Sequence, residues 1–146
     1  MKSKLLNGTP ERTYAVVLAS GDEPVSCLTR FAAAEKLDAA RLTAIGAFES
    51  AVLGFFDLHH KDYARIPIRE QVEVVSFIGD IGLGPDGKPT LHAHVVVGRR
   101  DGSTCGGHLL EGRVRPTLEV MLVESPGWLR RRKDPATGLA LIDPSL

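Results

Sequence analysis

The chain is predicted to fold as a single α+β domain, mainly an antiparallel β-sheet with a few packed helices. Three observations support this. Its 146 residues, 43% hydrophobic and 25% charged, suit one domain with a real core. One segment near the start has helical periodicity. From Tyr63 onward the pattern is nearly all strand and turn.

In chain order, residues 13–19 (TYAVVLA) form a short apolar run with β-branched and aromatic content, ended by Ser20-Gly21-Asp22, and read as a strand. Asp22-Glu23-Pro24 then offers acidic residues and a proline suited to a first helical turn, with Leu28, Phe31, Ala32 and Leu37 as the apolar stripe. Residues 41–48 and 50–57 are two β-rich segments whose glycines suggest bends or close backbone approach. Pro67 marks residues 63–68 as an edge strand, and residues 71–81 follow as a more buried one. Residues 84–89 (GPDGKP) form a turn. The histidine-bearing segments come next, then a strand over 117–124. The domain is placed at residues 12–125, with an irregular tail over 126–146. There is no internal repeat and no interdomain linker.

Leu91-His92-Ala93-His94 followed by Gly106-Gly107-His108 is the most informative stretch. Alternation along a strand puts His92 and His94 on one face, about 7 Å apart. His108 on the next strand could complete a three-imidazole metal site with one position left open. Register decides whether it does, since a slip of one residue reverses the face. A two-residue turn at Asp101-Gly102 would set Leu109 opposite His94 and turn His108 away. The site therefore requires a bulge or wider loop near Gly106, unless the two strands are not neighbours at all. The competing reading is three packed or hydrogen-bonded histidines. His59 and His60, in a polar run, read as solvated loop residues.

Eighteen basic residues balance eighteen acidic ones, so no global field draws the chain to nucleic acid or an anionic membrane. Cys27 in the helix and Cys105 in a glycine-flanked loop imply no disulfide framework, and a reducing cytoplasm is expected. No signal peptide and no run near the ~18 apolar residues of a membrane span are expected.

Gly46-Ala47-Phe48, residues 76–81 (SFIGDI), Pro89-Thr90-Leu91-His92-Ala93-His94, residues 106–112 (GGHLLEG) and residues 116–120 (PTLEV) together resemble the plant and prokaryote conserved (PPC) domain, also called domain of unknown function 296. The resemblance covers roughly residues 12 to 125, and the ordered series is more specific than any one motif. It implies an antiparallel α+β domain assembling as a homotrimer, with a metal, zinc or another divalent transition metal, at His92, His94 and His108. Plant members are fused to an AT-hook that enters the minor groove of A·T-rich DNA, and no such segment occurs here.

Two other functions stand beside a ligand-binding or regulatory module with an unidentified small-molecule or protein partner. DNA binding has one local argument, the run Arg130-Arg131-Arg132-Lys133 after Trp128, repeated three times in a trimer. The bland alternative is a solvated surface segment. A metal-dependent enzyme would need an acid or base near the histidines. Glu111, Asp80 and Cys105 are the candidates, although Glu111 alternates away from His108 on a regular strand. Asp80 also reads as a turn or capping residue, and Glu111 as a partner for Arg113 or Arg115.

Overall fold

The computed structural model describes residues 1–7, 11–125, 127 and 129–146, so Trp128, ahead of the basic run, lies outside them. Among the described residues, nine strands and one helix follow in the order β1 (Lys2–Asn7), β2 (Thr13–Ala19), α1 (Pro24–Glu35), β3 (Ala39–Asp57), β4 (Asp62–Ile68), β5 (Val72–Leu83), β6 (Pro89–Gly98), β7 (Thr104–Glu124), β8 (Arg131–Lys133) and β9 (Ala140–Ile142). β1 to β7 form one antiparallel sheet, and the helical layer among the described residues is α1 alone. None of the described helical residues forms a span long and apolar enough to cross a membrane.

Alternation builds the sheet. Tyr14, Val16 and Leu18 on β2, and Leu91, Ala93, Val95 and Val97 on β6, are buried in one cluster with Phe48, Phe77 and the α1 residues Leu28, Phe31 and Ala32. The helix starts where the acidic residues and proline predict. Glu23 caps it by accepting hydrogen bonds from the Val25 and Ser26 N–H groups, and Pro24 occupies the first turn. It stops one residue before Lys36, which takes a left-handed φ of 55° and donates its N–H to carbonyls of the last turn. Leu37 is thus buried beyond the helix rather than on it. Glu23→Ala should lower stability by about 1 kcal/mol, read as a lower urea midpoint at unchanged slope.

The two pairs of segments expected as separate strands are each continuous, as β3 and β7. Register shifts at Gly46/Phe48, Phe48/Ser50 and Val52/Leu53 let the two bend together without losing their pairing. Each therefore serves two parts of the sheet. β7 pairs with β2 through residues 117–123 and with β6 through residues 104–108, and β3 lies against it from Ala40↔Glu124 to Gly54↔His108. Gly46 permits the approach, because at its φ of 153° an added Cβ would sit 2.2 Å from the Thr117 carbonyl oxygen. Cys105, expected in a loop, is the second residue of β7.

The opposite face of the sheet carries Val17, Ile45, Ile78, Val96 and Met121 exposed, with Ile45 and Ile78 each 63% accessible.

The tail is not irregular. β8 and β9 pair as a short hairpin, and Arg130 bridges Leu83 at the end of β5. Asp134 shapes the turn, its carboxylate accepting both the Thr137 N–H and hydroxyl. Three-residue strands are too short to leave a periodic signal in sequence.

Candidate metal centre

The site stands on the outward positions of β5, β6 and β7. His94 pairs directly with His108, followed without a slip by Val95↔Gly107, Val96↔Gly106, Val97↔Cys105 and Gly98↔Thr104. A wider loop, not a bulge, sets this register. Arg99 and Ser103 close it through the Arg99 N–H to Ser103 carbonyl bond, the Gly102 N–H returns to the Arg99 carbonyl, and Gly102 takes a φ of 83°. The Asp101 carboxylate accepts the Ser103 N–H and holds the turn. The glycine pair does other work. An added Cβ on Gly107 would lie 2.8 Å from the Gly54 carbonyl oxygen, so Gly107 lets β3 approach β7 beside His108.

One ring nitrogen from each of His92, His94 and His108 lies within 4.8 Å of the other two. His92 Nε2 and His94 Nε2 are 3.2 Å apart. Two nitrogens on a tetrahedral ion with bonds of about 2.0–2.1 Å stand about 3.3 Å apart, so this pair already has ligand spacing. The rings meet with centroids 5.1 to 5.4 Å apart. His108 Nδ1 is buried without a hydrogen-bond partner among the described residues. A buried nitrogen in that state is what coordination would satisfy.

Electrostatics favour the neutral form of His108 and His94. Burial, then the closeness of His92 and His94, pushes the His108 pKa down to about 4, and burial followed by His92 lowers that of His94. The unfolded chain, with histidine near 6.5, binds more protons than the folded one between about pH 6.5 and 4. The metal-stripped protein should therefore be fully supported by His108 above pH 6.5 and lose on the order of 1–3 kcal/mol as pH falls through that window. Urea midpoints at pH 7 and pH 5 check this, and equal midpoints would contradict it.

Surrounding groups orient the rings. Asp80, directly across from His92, has one carboxylate oxygen 3.7 Å from His92 Nδ1 and the other paired to the Arg131 guanidinium. Burial alone would raise the Asp80 pKa, but His92 and Arg131 outweigh it and hold the carboxyl below its ordinary value. A carboxylate that accepts the ring N–H fixes a ligating histidine's tautomer and orientation, and Asp80 stands on the side of His92 from which a small approach would make that bond. Asp80 is thus neither a turn nor a capping residue. Tyr63 on β4 lies nearly parallel to His108, with ring centroids 4.8 Å apart.

The other candidates do not join the cluster. A bulge at Leu110 separates Leu53↔Leu109 from Val52↔Glu111, so the parity argument that set Glu111 opposite His108 fails, yet the Glu111 carboxylate is engaged by Arg65. That partner replaces the expected Arg113 and Arg115, which both reach Glu49 instead. His60 is exposed and bonded to Asp57, and His59 donates its backbone N–H to the same carboxylate.

The basic run is not a uniform solvated face. The Arg131 side chain is 5% exposed and paired with Asp80, and Arg132 pairs with Asp143. Sequence reasoning missed both Tyr63 and the structural use of Arg131. With Thr90, Leu91, His92, His108 and residues 139–141 they line a cavity of about 210 Å³.

The sequence matches the Plants and Prokaryotes Conserved (PCC) domain over residues 6–126. A plant- and prokaryote-conserved protein from Pyrococcus horikoshii superposes with a TM-score of 0.85 at 34% identity, over 90% of this chain and 91% of that one. A metal-containing protein from Archaeoglobus fulgidus gives 0.83 at 33% identity, over 97% and 99%. A protein from Bacteroides thetaiotaomicron, provisionally described as DNA-binding, gives 0.86 at 25% identity, over 99% of each. The chain is also 35% identical over 130 residues to the bifunctional protein GlmU of a Synechococcus strain, covering 87% of this chain and 20% of that protein's length.

Proposed function

The chain belongs to the Plants and Prokaryotes Conserved (PCC) domain family, and from that premise we propose that it is a homotrimeric module holding a divalent transition metal at His92, His94 and His108 for ligand binding or regulation. The observation that carries this is the convergence of the three ring nitrogens within 4.8 Å. The orphaned His108 Nδ1 and the Asp80 carboxylate behind His92 support it, as does the resemblance to a metal-containing protein. Neutral imidazoles without thiolates suit zinc among several transition metals. When bound, such an ion supplies a Lewis-acid position open to water or a ligand. The Asp80 carboxylate stands 3.7 Å behind the His92 ring, and Tyr63 walls one side of His108. Elemental analysis of untagged, unchelated protein tests the assignment. About one equivalent per chain is expected, and protein that is metal-free and refuses added zinc would overturn it.

The trimer is supported by the exposed apolar residues of the outward face, which run up to the site through the cross-strand pair Ile78↔His94. Light scattering should give three times the 15.7 kDa chain mass, and a monomer would refute it. The free Cys27 and Cys105 suit a cytoplasmic setting.

DNA binding is the second reading, favoured by the description of the Bacteroides relative. Here its basic run is depleted, since Arg131 is buried against Asp80. If the tail contacts phosphates, neutralising Arg132 and Lys133 together should weaken mixed-sequence duplex binding at low salt and flatten its salt dependence. Unchanged affinity would dismiss the tail as a contact.

A further inference from the structure

Among the described residues, two buried side-chain polar atoms lack any hydrogen-bond partner, His108 Nδ1 and Arg131 Nε. Both belong to residues lining the same 210 Å³ cavity, on opposite sides of the boundary between sheet and tail. The metal accounts for His108 Nδ1, and Arg131 Nε is then the unmet polar group of a residue lining this cavity that a ligand could satisfy. We propose that the β8–β9 hairpin closes a ligand pocket over the histidine centre, and that this pocket takes the carboxylate end of a small organic acid, with Arg131 as the residue that selects it. The inference rests on the metal reading above.

Charge identifies the ligand class. The three imidazoles are uncharged donors, and no carboxylate joins them among the described residues. The nearest acid, Asp80, is matched by Arg131. A divalent ion held there keeps its positive charge uncompensated, so an anion is the favoured fourth partner. The lining favours an organic acid over phosphate. Arg131 uses one N–H of each terminal nitrogen, on Asp80 and on the Ala140 carbonyl, and its Nε–H has no partner among the described residues. Tyr63, Leu91, Leu139, Ala140 and Leu141 make the remaining wall largely apolar. The volume lies below the roughly 300–1,000 Å³ of sites for larger ligands, which limits the occupant to a compact acid.

The test uses full-length protein reconstituted with Co²⁺, with metal content measured beside every titration. Benzoate, acetate, uncharged benzamide and inorganic phosphate are the probes, and calorimetry and the cobalt visible spectrum are the readouts. Benzoate should bind and alter the spectrum, with benzamide and phosphate at least tenfold weaker. Leu141, 44% exposed, can be changed without disturbing the core. Leu141→Asp should weaken benzoate at least tenfold at unchanged cobalt content, and Arg131→Met should erase the preference for benzoate over benzamide. Metal-loaded protein that binds neither carboxylate, or binds benzamide or phosphate as well as benzoate, overturns the pocket assignment while leaving the metal assignment standing. Protein that takes up no cobalt overturns both.

Discussion

His94→Ala should yield a folded chain that carries almost no metal. His94 is exposed, with only burial-light contacts to lose, so its removal leaves the core of Phe48, Phe77 and Leu53 untouched. Two imidazoles remain, and a two-ligand site retains little of the affinity of a three-ligand one. Elemental analysis should fall from about one equivalent to below a tenth, while the urea midpoint of the metal-stripped variant stays within about 0.5 kcal/mol of the stripped parent. Retained stoichiometric metal would show that the ligands lie elsewhere. Loss of fold together with metal would show that His94 is a packing residue.

Asp80→Ala should have the largest effect on the tail. Removing one partner of a buried ion pair leaves the other charge uncompensated, typically at about 3–5 kcal/mol. Here the charge has an exit. Arg131 sits on a hairpin that, among the described residues, meets the end of β5 through the Leu83–Arg130 bridge, and it reaches water if that hairpin lifts. The cost of the mutation is therefore capped by the cost of detaching β8–β9, and the global unfolding free energy should fall less than the pair alone suggests. Amide exchange at residues 131–133 and 140–142 should accelerate on the order of 100-fold, with β2 and the paired half of β7 nearly unchanged. Metal affinity should drop about 10- to 100-fold, because His92 loses the carboxylate behind it. Unaltered exchange in the hairpin would show that Asp80 does not anchor it.

These outcomes separate what the sequence makes legible from what it hides. His92 and His94 are readable because strand alternation is rigid, and an i, i+2 pair shares a face wherever the strand lies. His108 is readable only conditionally. Its face depends on one residue of loop length, and the choice is made by Asp101 capturing the Ser103 N–H and Gly102 entering the left-handed region. Those are turn details that composition permits without dictating. The run Arg130 to Lys133 misleads for another reason. Whether a cation is solvated or buried depends on its partner, and the partner of Arg131 is 51 residues earlier in the chain. Similarly, Tyr63 reaches His108 because β3 lies between their strands, a neighbourhood that no local pattern encodes.

The long pairing of β3 with β7 also fixes an order of events during synthesis. Gly54 must wait for His108, and Ala40 for Glu124, before either finds its partner. Pairings so distant in sequence close slowly, on the millisecond-to-second scale typical of non-local β topologies. A nascent chain exposes His92 and His94 before the third imidazole exists, and Arg131 follows His108. The centre therefore assembles only once β7 has been made and paired with β3 and β6, and metal capture reports on completion of that part of the sheet.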